Sequence, residues 1–338
     1  MTAALLEFGY SAVVAWCAPV LLARLTAGGI SARLGLGAWL AAMASVLACA
    51  GAGVAFLFRA AMAGWPGLAA AVCRSVAGRP CAPAVYRSAA FESGLAVAAA
   101  AAMLTAAVLA WRYGRSLQRA QRGSRAHAEA ARITGRGLPG TGAVVLDAPT
   151  ALAYCVPGRP ATIVLTRGAL AVLSPAQLDA VLAHERAHLA GRHHLLVALT
   201  RGLATTLPVV PLFRRGSAKV ARLTEMCADD AAARQRGRSA LVSALLAMGP
   251  GSAQAAGAAQ AGGAAQAGGA AQAAAATAGA VGDRVRRLCD PPRPARHAHN
   301  AAALLAVTVL LALVSGLVTS AAGPLAAHAV SLLGNGAA

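Results

Sequence analysis

Four stretches of this chain are apolar for long enough to cross a lipid bilayer, and that limits its architecture more than any other feature. A spanning helix needs about 20 mostly apolar residues. The stretches run from Phe8 to Leu25, Leu34 to Phe58, Ser93 to Trp111 and Ala301 to Leu317. The first is not a cleavable leader by pattern, because no basic segment precedes it and Glu7 does. Trp111 and Tyr113 close the third span as interfacial anchors.

Composition supports a multi-pass membrane protein. Hydrophobic residues make up 58% of the chain and charged residues only 12%, about half the usual globular share. The net charge is +19, and Lys219 is the only lysine, so arginine carries almost all of it. A nucleic-acid binder can be this basic. Here, however, aromatic residues are only 4% and the arginines flank apolar runs, so no direct nucleic-acid binding is expected.

Arginine placement also sets the expected orientation. Arg112, Arg115, Arg119, Arg122, Arg125, Arg132 and Arg136 follow the third span, and Arg284, Arg286, Arg287, Arg293 and Arg296 precede the fourth. Both edges of the central region therefore face the cytosol, and the amino terminus lies outside. Cys73 and Cys81 share the outer loop, where they could form a disulfide or remain two thiols. The Ala, Gly and Arg excess fits a GC-rich bacterial genome, so the expected location is a bacterial plasma membrane.

The expected division is three membrane helices over 1–111, with an outer loop at 59–92, and a cytosolic domain over 112–251. A linker follows over 252–282, then a basic juxtamembrane segment over 283–300, and a last helix with a short outer tail over 301–338. The linker is Ala, Gly and Gln in AQAGGA-like repeats, which supply nothing for a specific core.

Within the central region, Val144 to Leu146 and Ile163 to Leu165 read as strands, with a turn at Pro157-Gly158. Ser174-Pro175-Ala176-Gln177 opens a helix, with Ser174 as N-cap, Pro175 at the first position and Gln177 completing a capping box. That helix carries His184-Glu185-Arg186-Ala187-His188, an HExxH motif. Residues four apart share a helix face, so both imidazoles can reach one metal ion. Zinc brings the pKa of a coordinated water to about 7, and Glu185 is placed to act on that water as general base. His193 and His194 read as interfacial residues rather than ligands.

A catalytic zinc needs a third protein ligand and an open position. The chain has five glutamates. Glu7 and Glu92 lie at membrane edges and Glu129 in an arginine-rich stretch, which leaves Glu225. Cys227 is a chemical rival, but two residues on it points to another helix face. Asp229, one turn after Glu225, can accept a hydrogen bond from a ligating histidine or hold a nearby arginine. The apolar run from His194 to Phe213 cannot cross the bilayer once, because Glu225 would then sit on the opposite side from His188. It is expected to be buried or to dip into the membrane and return.

HExxH followed by Glu225-Met226-Cys227-Ala228-Asp229 resembles the gluzincin membrane peptidases. Ala153-Tyr154-Cys155-Val156-Pro157-Gly158, Ile163-Val164-Leu165-Thr166 and Leu173-Ser174 resemble them too. Three leading spans, a cytosolic domain and one following span resemble the M56 family of antirepressor-type membrane peptidases. That resemblance implies a mainly α, multi-pass membrane protein, with an α+β gluzincin-like domain inserted between the third and fourth spans. It implies zinc on His184, His188 and Glu225, and Glu185 as catalytic base. The substrate would be a protein or peptide, such as a transcriptional repressor or the chain itself, and could pair with the strand Ile163, Val164 and Leu165. The chain has no Ser-x-x-Lys motif, so β-lactam sensing is not implied. M48-type membrane quality-control proteases share both motifs but usually place two full spans between them. The single apolar run here favours M56. A third reading is a non-catalytic membrane sensor or scaffold. Membrane lipid is the remaining expected partner.

Overall fold

The structure is a computed structural model that describes residues 2–27, 31–64, 89–158, 160–249, 281–290, 301–306 and 308–309. Cys73, Cys81, most of the expected outer loop, the linker over 252–280 and most of the expected fourth span lie outside the described residues.

Three described helices are long and apolar enough to cross a membrane. They are α1 (Thr2–Ala27), α2 (Ala32–Gly64) and α3 (Ala89–Thr134). Residues 301–306 and 308–309 are helical at the start of the expected fourth span, so four spans remain an expectation. At 1.5 Å per residue, the 46-residue α3 is about 70 Å long, more than twice the hydrocarbon thickness. Its second half is the arginine-rich stretch, which leads from the apolar segment into the central domain. The Arg115 guanidinium stacks 4.8 Å from the Trp111 ring at that change of character.

A small sheet follows, of β1 (Arg136–Leu138), β2 (Ala143–Leu146), β3 (Ala153–Val156) and β4 (Thr162–Thr166). Its order is β1-β2-β4-β3, with β2 and β4 parallel and the outer pairs antiparallel. This corrects the expectation that Ile163, Val164 and Leu165 receive a substrate strand. They lie in β4, which is paired on both sides by β2 and β3, so no backbone edge is left to offer. Among the described residues, the unpaired edge beside the metal-binding helix belongs to β3.

After the short α4 (Arg167–Val172), α5 (Pro175–Ala190) begins as its sequence dictates. Gln177 N donates to Ser174 Oγ, and Ser174 N donates to Gln177 Oε1 at 2.8 Å. Leu182 and Val181 of α5 pack on Cys155, Ile163 and Leu165 of the sheet.

At Arg192 the chain turns through a left-handed conformation (φ 48°), and α6 (His193–Thr206) runs back along the membrane helices. The connection at 207–210 exposes Val209 by 78%, and α7 (Pro211–Arg236) returns. Two glycines let this hairpin lie flat on the spans. A Cβ at Gly202 would press on Tyr113 of α3, and one at Gly216 would overlap Met43 of α2. Leu212, Phe213, Val220 and Leu223 of α7 thus share one buried cluster with Leu22, Trp39 and Met43. The chain runs out along α6 and back along α7, which brings Glu225 beside His188. Helices α8 (Arg238–Met248) and α9 (281–289) close the domain, with Leu241 and Leu288 packed against Ala183 of α5 and Ala232 of α7.

Candidate metal centre

Helix α5 presents His184, Glu185 and His188 toward the returning half of α7, and all three are buried. The hairpin brings Glu225 opposite them. His184 Nε2 and His188 Nε2 lie 3.1 Å apart, and the Glu225 carboxylate oxygens lie 3.5 Å and 3.4 Å from them. Zinc–nitrogen distances of about 2.0–2.1 Å in a tetrahedral arrangement place neighbouring donors about 3.3 Å apart. The His–His–Glu triangle has that spacing, so the donor set fits a zinc ion in both chemistry and size. Cys227, the rival ligand, is buried in the cluster shared with the membrane helices and is not among the three converging residues.

Electrostatics tighten the group. Burial alone would lower the His184 pKa. The Asp229 and Glu225 carboxylates more than offset this and push it up to about 10. Burial alone would raise the Glu225 carboxyl, yet His188, His184 and Arg284 hold it well below the usual range. Glu185 is buried beside the triangle with Oε2 lacking any hydrogen-bond partner. An orphaned buried oxygen is costly, and a water or substrate proton at this point would satisfy it. Burial and the neighbouring Glu185 carboxylate push up the pKa of the Cys155 thiol on the edge strand β3.

Two residues escaped the sequence reading. Arg284 of α9 donates to Asp229 through Nε at 2.8 Å and Nη2 at 2.6 Å, and its Nη1 lies 3.4 Å from Glu225 Oε2. Asp229 Oδ1 in turn sits 3.1 Å from His184 Nδ1. Asp229 thus pairs with Arg284 and lies at ion-pair distance from His184, whose Nδ1 makes no hydrogen bond. Arg284 stood among residues assigned to a juxtamembrane segment. Only the three-dimensional return of α9 brings it here.

His193 is the second. Its Nδ1 lies 3.1 Å from His188 Nδ1, with the rings edge to face. Burial and the neighbouring His188 lower its pKa to about 4, so it is neutral near pH 7 and can accept the His188 Nδ1 proton. That leaves the His188 Nε2 lone pair facing the triangle. Replacing His193 by alanine is expected to weaken zinc affinity by about 10–100-fold, measured by competition with a chelator. An unchanged affinity would show that His188 is held by packing alone. The signal in the sequence is an imidazole just past the end of the HExxH helix, where a left-handed turn folds it back.

A buried HExxH helix, a third carboxylate from a returning helix and an edge strand alongside define a zinc metallopeptidase. Residues 116–278, a little under half of the chain, match the family model described as Peptidase family M48, a family of zinc metalloproteases. The protein thus carries a zinc metallopeptidase domain together with helices apolar enough to span a membrane. No curated protein and no solved structure matches the chain.

The match corrects the resemblance to M56, because the family that matches is M48. Both families share HExxH and Glu-xxx-Asp, so the choice rested on the arrangement of apolar spans and on the single apolar run between the motifs. Only α6 lies wholly between the motifs, because α7 itself carries Glu225 and opens with Arg214, Arg215 and Lys219.

Proposed function

We propose that the chain is a membrane zinc endopeptidase of the quality-control type known in M48, acting on unfolded or exposed segments of membrane proteins. The proposed setting is the plasma membrane of a bacterium, with the metal centre on the cytosolic side, where the arginine-rich edges lie. The observation that carries this reading is the His184–His188–Glu225 triangle, assembled where a hairpin lying on the membrane helices returns to the peptidase domain.

In this reading His184, His188 and Glu225 hold the zinc. When bound, it supplies Lewis acidity that activates water and polarises the scissile carbonyl. Glu185 accepts the proton of the attacking water and delivers it to the leaving amine. An extended substrate pairs along the edge of β3 that no described strand occupies; the β3 residues are themselves buried, and Cys155 adjoins Glu185, so the scissile bond passes close to the base. His193 and Asp229 fix the two imidazoles, and Arg284 holds Asp229.

The test uses the purified full chain with an unstructured protein such as casein as substrate. A chelator is expected to stop cleavage, and about one equivalent of zinc to restore it, as one catalytic site requires. Cleavage that ignores the chelator, or purified protein that takes up no zinc, would sink the proposal in favour of a scaffold role.

A further inference from the structure

Away from the metal centre, a cleft of about 580 Å3 opens between α1, α2 and the first half of α7. Its lining includes four cations, Arg24 of α1 and Arg215, Lys219 and Arg222 of α7, and no carboxylate. Lys219 is the chain's only lysine. Arg222 is paired with Asp283 at 3.1 Å. Among the described residues, no carboxylate lies within ion-pair distance of Arg24, Arg215 or Lys219. The rest of the lining is apolar, from Pro19, Val20, Ala23, Trp39 and Ala218. Trp39 is fully buried, and its Nε1 has no hydrogen-bond partner, although such an N–H almost always finds one.

This combination selects its ligand. Three cations without acidic partners call for an anion of phosphate type. A small soluble anion would satisfy them and leave the apolar surface wet. A phosphate joined to a hydrocarbon chain satisfies both. The position agrees. Arg24 lies in the last turn of α1 and α2 begins at Ala32, so the cleft sits where two spans end. Trp39 is seven residues into α2, about 10 Å along it, a depth typical of tryptophan at the headgroup boundary. Basic pockets between membrane helices are a known form of anionic headgroup site.

We propose that this cleft binds one anionic phospholipid, with its phosphate among Arg24, Arg215 and Lys219 and its hydrocarbon against Val20, Ala23 and Ala218. The lipid would tie the peptidase domain, through α7, to the first two membrane helices. The inference rests on α1 and α2 crossing a bilayer and is independent of peptidase chemistry, because binding is read without cleavage.

The test takes the full-length protein from vesicles of equal phosphatidylcholine and phosphatidylglycerol and reads the retained lipid by native mass spectrometry. One phosphatidylglycerol per chain is expected, in preference to phosphatidylcholine. The double variant R215Q/K219Q should bind it roughly thirtyfold more weakly, since each cation near an anionic surface contributes comparably. R215K/K219R should retain binding, which separates charge from fold. R119Q/R122Q on α3 should also retain it, which separates this cleft from general charge. Equal retention of both lipids, or equal loss in the α3 variant, overturns the proposal. Displacement of the lipid by millimolar inorganic phosphate overturns it too, by assigning the cleft to a soluble anion.

Discussion

Replacing Glu185 by glutamine is expected to cut peptide cleavage by about 10²–10⁴-fold, the usual contribution of a positioned general base, while zinc stays bound. Glutamine keeps the shape of the side chain and loses only the ability to take a proton. The metal should remain, because the triangle of donors is formed by His184, His188 and Glu225 without it. The fold should remain as well, because Glu185 Oε2 makes no hydrogen bond that the amide would break. The contrasting variant is Glu225→Ala, which removes one corner of the triangle and should lose metal and activity together. Metal analysis and cleavage rates on the same preparations decide the matter. If Glu185→Gln lost its zinc, the residue would be a ligand. If cleavage persisted near the original rate, the base would lie elsewhere.

The parts of the fold that could be read from sequence are those specified by local chemistry. The Ser174 cap and its capping box, the HExxH face of α5, and strands β2 and β4 depend on residues a few positions apart, and the structure has them where the pattern puts them. Glu225 was reachable by elimination, because the chain has so few glutamates. What the sequence hid were contacts made across long separations. Arg284 reaches Asp229 over 55 residues that include the Ala/Gly/Gln stretch, and nothing local distinguishes it from its arginine neighbours. The pairing of β3 outside β4 was equally invisible. Strand order in a sheet is set by how the whole domain closes, and Ile163 to Leu165 look the same in the middle of a sheet as at its edge. The helical hairpin misled for a different reason. Hydropathy reads each helix alone, whereas α7 keeps Leu212, Phe213 and Val220 toward the spans and its cations toward the cleft and solvent.

Arg284 and Asp229 also carry the largest expected effect on stability. Asp229 is 1% exposed and the Arg284 side chain only 11%. Burial would raise the Asp229 carboxyl, but Arg284 and then His184 overcome it and hold the pKa down at about 2. A depressed carboxyl pKa stabilises the fold fully above about pH 4 and ceases to do so as the pH falls toward the folded value. At neutral pH the pair is therefore fully charged. Asp229→Ala leaves a buried guanidinium with Glu225 at 3.4 Å as its one carboxylate within ion-pair distance among the described residues, and removing one partner of a buried pair costs about 3–5 kcal/mol. Removing both charges is far less costly, so Asp229→Ala with Arg284→Met should recover most of the thermal resistance of the original chain. Zinc affinity should behave differently. His184 Nδ1 loses its carboxylate in the single and the double variant alike, so both should bind zinc about 10–100-fold more weakly. That split separates the two roles. Recovered stability with persistently weak zinc binding means that Arg284 acts on the metal through Asp229, and Asp229 through His184. If the double variant were as unstable as the single one, charge burial would not be the cause. If both variants bound zinc normally, Asp229 would hold only the arginine, and the orientation of His184 would come from the packing of α5 alone.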